Sequence, residues 1–130
     1  MAFEAQIDKL VEKLTELTRA DKVIWQETAE ENTFLTAVGQ SVVTVGRVSS
    51  APSAPCFMRI LDATGKTIEE AYAAKSDILT EYRARRSEAA LDVAVRDLDR
   101  LQNLLELARR SAMKSDKFVS DLLSTLEAIR

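Results

Sequence analysis

The sequence predicts an α+β fold: an N-terminal helix, a four- to five-stranded antiparallel meander and a long C-terminal helical region. Three observations carry this. Apolar residues recur at helical spacing near the N-terminus. β-Branched and aromatic residues concentrate between residues 22 and 70. Neither Gly nor Pro occurs from residue 71 to residue 130, where leucines and alanines keep a helical period.

The first helix is expected over residues 3–20. Phe3, Ile7, Leu10, Val11, Leu14 and Leu17 fall on one stripe, and Glu4, Asp8, Lys9, Glu12, Lys13 and Glu16 fill the rest. The next region reads as short strands: Val23-Ile24-Trp25, Thr33–Val38, Val42–Val45, Phe57–Leu61 and Thr67-Ile68. Their separators have turn chemistry. Gly39-Gln40 suits a tight hairpin with a left-handed first position. Ser49–Pro55 is a loop with two prolines. Asp62-Ala-Thr-Gly65-Lys66 suits a second hairpin turn in which Gly65 supplies the positive φ. Connections this short favour neighbouring antiparallel strands, hence a sheet over 22–70. Its core positions are expected at Trp25, Phe34, Val43, Val45, Met58 and Ile60, with the helices packed on one face.

From about Ala71 the chain is expected to turn helical, with Ser76 or Asp77 as N-cap of a region over 76–129. A seam of apolar residues at alternating steps of three and four runs through Leu91, Ala94, Leu98, Leu101, Leu105, Ala108 and Ala112. The phase continues through Val119, Leu122, Leu126 and Ile129, broken by Ser115. One unbroken helix over 77–129 would be roughly 80 Å long at ~1.5 Å per residue. A break near 113–115 is therefore expected, with Ser115 or Asp116 capping a last helix, and a further bend fits between Tyr82 and Leu91. The seam needs a partner, either the chain's own sheet or another copy.

A length of 130 residues, 46% hydrophobic and 30% charged, fits one globular domain over 1–130 rather than a disordered chain. No apolar run approaches the length of a membrane span, the N-terminus lacks a basic start followed by an apolar core, and Cys56 is the one cysteine. A cytoplasmic protein without a disulfide framework is expected.

The chain contains no histidine. That removes the commonest general acid–base and any Ser–His or Cys–His nucleophilic pair within the chain. Cys56 alone does not make a thiolate metal site, and reads as a small buried apolar residue. The acidic groups Glu27/Glu30/Glu31, Glu69/Glu70 and Asp97/Asp99 read as solvated surface. Asp62–Thr67 resembles the tail of a phosphate-binding loop, but Ile60 stands where that pattern needs a glycine. No catalytic residue, metal ligand or cofactor is assigned, and the chain is expected not to be an enzyme.

Arginines recur along the C-terminal region at Arg83, Arg85, Arg86, Arg96, Arg100, Arg109 and Arg110, interspersed with acids and without aromatic residues for base stacking. A nucleic-acid partner is therefore not expected. Lys66, Arg83, Arg85 and Arg86 are candidate ligands for a small anion or nucleotide. Leu91, Leu98, Leu101 and Leu105 are candidate interface residues.

Trp25-Gln-Glu-Thr with Thr33-Phe34, Arg59-Ile-Leu-Asp62 with Gly65–Ile68, and Leu104–Arg110 followed by a short leucine-rich helix together resemble small, free-standing bacterial proteins of uncharacterised function. That resemblance covers about two-thirds of the chain. It implies a helix–sheet–helix domain and carries no activity or catalytic residues with it. The expected function is a non-catalytic protein-interaction or adaptor module, self-associating through the leucine seam at 91–112. A regulatory role in a bacterial or phage stress or defence setting follows from the small-protein habit alone. The alternative is a small-ligand or nucleotide binder.

Overall fold

A computed structural model describes residues 5–51, 53–84 and 87–129. Phe3 of the expected first stripe, and Arg85 and Arg86 of the candidate anion set, lie outside the described residues, as do the side chains of Ser115 and Asp116.

The order of elements is α1 (Ala5–Arg19), β1 (Gln26–Glu27), β2 (Thr33–Val38), β3 (Ser41–Arg47), β4 (Cys56–Leu61), β5 (Thr67–Ala73), α2 (Lys75–Ala84), α3 (Glu88–Met113) and α4 (Ser115–Ala128). The five strands form one antiparallel sheet in sequence order, so every connection joins spatial neighbours. The architecture is α+β: an N-terminal helix, a five-stranded antiparallel sheet and a long C-terminal helical region.

Local chemistry explains the joints. α1 ends with Asp21 in the left-handed region at φ 57°, while the Asp21 and Lys22 amides donate to the Thr18 and Leu17 carbonyls. Gly39, at φ 62°, turns β2 into β3 with Val38 paired to Ser41. β5 runs on to Ala73, beyond the expected helix start near Ala71, because Ala71 and Ala73 still pair with Met58 and Cys56. α2 then begins at Lys75, and the Asp77 carboxylate reaches back to accept from the Ala74 amide at 3.2 Å. The helical region divides twice. Ser87 caps α3, its hydroxyl accepting from the Ala90 amide at 3.0 Å. Lys114, at φ 54° and ψ 43°, ends α3 and starts α4.

The strand expected at Val23–Trp25 is not one. Pairing is confined to Gln26 and Glu27, opposite Leu35 and Phe34. Trp25 is instead a bolt through the core. It is 1% exposed, its indole Nε1 donates to Thr18 Oγ1 at 2.9 Å, and its amide donates to Ser111 Oγ at 3.0 Å. Thr18 Oγ1 donates in turn to the Leu14 carbonyl at 2.6 Å. One residue thus ties the end of α1 to the end of α3.

One sheet face carries Phe34, Val43, Val45, Cys56, Met58 and Ala73, all buried. α1 covers it with Val11 and Leu14, and α3 with Leu98, Leu101, Leu104, Leu105 and Ala108. Ile60, also expected in this core, is half-buried. Charge fixes the two helices against each other. Arg100 Nη1 lies 2.5 Å from Asp8 Oδ1, and Arg96 Nη2 lies 3.7 Å from Asp8 Oδ2. The opposite sheet face carries Gly46, Phe57 and Arg59. Phe57 lies there across Gly46, where an added Cβ would meet the Asn32 carbonyl oxygen at 2.7 Å and the Phe57 ring at 2.9 Å. The Arg59 guanidinium stacks over that ring at 4.3 Å and pairs with Glu70, Nε to Oε1, at 3.2 Å.

The Trp25–Thr18 hydrogen bond is a testable joint. Thr18→Val keeps the shape but leaves the buried indole N–H without its acceptor, and should lower unfolding free energy by about 1–3 kcal/mol. Thr18→Ser should recover most of the loss. Urea unfolding followed by Trp25 fluorescence would check it, and an unchanged midpoint in Thr18→Val would remove the joint from the account.

Candidate functional site

The leucine seam is filled from within the chain. Leu98, Leu101 and Leu105 are 5%, 0% and 7% exposed, packed with Trp25, Phe34, Val45 and Met58 in one core cluster, and Leu91 is half-buried near the start of α3. Of the candidate interface residues, Leu98, Leu101 and Leu105 are therefore core positions of this chain, and Leu91 lies outside that cluster. A five-stranded sheet presents one broad apolar face, and α3 is the element that closes most of it.

α4 has the opposite fate. Every side chain of α4 that the structure describes is exposed. Phe118, Val119, Leu122, Leu123 and Leu126, with Ile129 just beyond the helix, are 54–67% exposed. Their spacing places them on one broad stripe, with Lys117, Ser120, Asp121, Ser124 and Glu127 on the remainder. The division between the buried and the exposed helix lies at Lys114. Its left-handed backbone donates to the Arg110 and Ser111 carbonyls, closes α3 and swings α4 off the axis that α3 follows over the sheet. The apolar phase that runs unbroken in sequence is therefore split. Residues up to Ala108 are core, and those from Phe118 are surface. Only about a third of the surface of Phe118 is covered.

Of the candidate anion ligands, only Lys66 and Arg83 lie among the described residues. Lys66 sits on the β4–β5 hairpin and Arg83 in the last turn of α2, both exposed, on separate elements. The hairpin itself is internally satisfied. Asp62 Oδ1 accepts from the Thr64 amide (2.9 Å), the Thr64 hydroxyl (2.6 Å) and the Lys66 amide (3.0 Å), with Gly65 at φ 88°. The amide that a phosphate-binding turn would offer to a ligand is bonded to Asp62 instead.

Two expectations about charge change. Asp97, expected on a solvated surface, is 1% exposed, with Arg96 Nη2 3.6 Å from its Oδ1. Arg96, which keeps Asp97 beside it on its own helix, and Arg100 both reach Asp8 on α1. A basic cluster that sequence reading missed lies at the α3–α4 junction. Arg19, Arg110, Lys114 and Lys117 border a groove of about 380 Å³, together with Thr18, Asp21, Ile24, Leu107 and Ser111. Three helices contribute to it, which is why no run of sequence displays it. A second groove, about 640 Å³, lies along α1 with Arg100 and Asn103 of α3 on its far side, and mixes Glu12 and Glu16 with Arg19.

Cys56 is fully buried, and burial pushes its thiol above the ordinary cysteine range, with Arg47 opposing. The thiolate needed for nucleophilic or metal chemistry is thereby disfavoured. Among the described residues no group of three or more Cys, Asp and Glu is placed to hold a metal ion, and no helix is long and apolar enough to cross a membrane.

No family model matches the chain, and no curated protein and no solved structure matches it either. The helix–sheet–helix plan implied by the resemblance is present in the structure.

The Asp62 turn gives a pH prediction. The Thr64 hydroxyl first, then the Lys66 amide, hold the Asp62 carboxyl below the usual aspartate range. The ionised form accepts these bonds, so their support is complete above the unfolded value of about 3.9 and is lost as pH falls through the lowered folded value. Carboxyl-detected NMR should place the Asp62 midpoint below about 3.9, with the Thr64 and Lys66 amide shifts moving together with it. A midpoint at or above that value would contradict the hydrogen-bonded turn.

Proposed function

We propose that this protein is a non-catalytic, cytoplasmic protein-interaction module whose docking element is α4. One observation carries the reading: six large apolar side chains, 54–67% exposed, form one side of a helix that stands clear of a core completed without it. Exposed apolar surface scattered singly needs no explanation, but a contiguous patch at the upper end of what soluble monomers show marks a binding surface. Roughly 100 Å² for each of six side chains makes about 600 Å², which reaches that range. The rest of the molecule is built as a mount. The α1–α3–sheet core holds α3 as far as Ala112, and the Lys114 turn sets where α4 begins.

Binding of a small anion or a nucleotide is the second reading. It gains support from the four cations around the α3–α4 groove rather than from Lys66 and Arg83. It requires a salt-sensitive affinity that Lys117→Glu abolishes, and indifference of binding to that change would dismiss it.

The docking reading separates two leucines of the same sequence phase. Leu101→Asp puts an unpaired charge into a fully buried site and should cost more than about 4 kcal/mol, enough to unfold most of the population. Leu122→Asp on α4 should change the unfolding of the body by less than about 0.5 kcal/mol, read by Trp25 fluorescence at sub-micromolar protein. It should also reduce binding of a hydrophobic dye. If Leu122→Asp destabilises the body as Leu101→Asp does, α4 belongs to the core and the reading fails.

A further inference from the structure

Resting on α4 as the docking element, we infer that its occupant is α4 of a second copy of this chain, packed antiparallel. The first argument is the symmetry of the seam. Val119, Leu122, Leu126 and Ile129 alternate steps of three, four and three. That sequence of steps reads the same in both directions. Antiparallel pairing therefore places Val119 opposite the partner's Ile129 and Leu122 opposite the partner's Leu126, and the two-fold axis repeats both layers. Near that axis, between the two inner layers, Leu123 falls beside the partner's Leu123. No heterologous sequence is needed to complete the four layers.

The second argument is area. Each copy contributes about 600 Å² of apolar surface, so a closed pair buries about 1,200 Å² from these side chains alone, the lower bound for a specific interface. Among the described residues of one copy, none buries this face.

The third argument is the attachment of the body. It joins α4 at the N-terminal end through Lys114. Parallel pairing would bring two bodies to the same end of a short two-helix stem. Antiparallel pairing sends them to opposite ends, about 20 Å apart along a 14-residue helix, and opposes the two helix dipoles. The polar side of α4 has Lys117 against Asp121 and Glu127, with Ser120 and Ser124 between them. That is not the lysine-rich polar face that would favour an anionic lipid surface.

Light scattering at tens of micromolar should show a dimer for the natural chain. It should show a folded monomer for Leu122→Asp/Leu126→Asp, and a dimer for Ser124→Asp on the polar side. Spin labels then test direction. Cys56 is buried, so cysteines placed by Lys117→Cys and Ser124→Cys are labelled selectively. Antiparallel pairing predicts a 117–117 distance longer than the 124–124 distance, from an axial offset of about 20 Å against nearly none. Equal distances would overturn the antiparallel arrangement. A monomeric natural chain, or a dimer untouched by the Leu122/Leu126 pair, would overturn self-pairing. So would a monomer that sediments with phosphatidylcholine–phosphatidylserine vesicles. The docking reading itself falls only if Leu122→Asp unfolds the body, so the two failures are distinguishable.

Discussion

The structure depends on one constraint: a five-stranded sheet must have its broad apolar face covered. α3 supplies most of the cover, with Leu98, Leu101, Leu104, Leu105 and Ala108 all buried on a single stripe. Trp25 sets where that stripe lies along the sheet. Its backbone amide is held by Ser111 and its indole by Thr18, so α3 and α1 are referenced to the same residue. The Asp8–Arg100 pair then fixes the other end of the α1–α3 contact. With both ends held, α3 cannot slide by a turn without breaking a buried hydrogen bond and an interhelical ion pair. The direction of α4 is inherited from that placement.

Much of this was legible in the sequence because the relevant signals are local. Gly39 and Gly65 announce their hairpins through the positive φ each turn requires, and the strand faces follow from period-two alternation. The division of the helical region was legible from length alone. Ser115, which interrupts the apolar phase, places it near 113–115, and the turn lies at Lys114, although no glycine marks the left-handed residue. The end of β5 was misjudged because Ala71–Ala73 has no strand preference of its own. It is strand because β4 offers it partners. Val23–Trp25 erred in the other direction. Its β-branched and aromatic composition reflects burial of Trp25 and half-burial of Val23 rather than ladder pairing.

What was not legible is anything that depends on how α1 and α3 meet. Asp97 reads as surface because charged residues are seldom fully buried. Arg100 reads as a partner of acids on its own helix, whereas its Asp8 lies about ninety residues away. The junction cluster of Arg19, Arg110, Lys114 and Lys117 is invisible for the same reason. Periodicity reports which face of a helix is apolar. It does not report what lies against that face, and the leucine seam is the sharpest instance.

The same heptad phase serves two ends in one chain, and the Lys114 turn separates them. Before it, apolar spacing matches a sheet and disappears from the surface. After it, apolar spacing is as regular but meets no surface of the same chain. Had the turn been absent, α3 and α4 would form one straight rod of more than forty residues, and its far half would still overhang a sheet whose longest strands have seven residues. Sheet width and strand length therefore set how much of the helical region one copy absorbs. The remainder is left as a self-matching surface by the period that built the core.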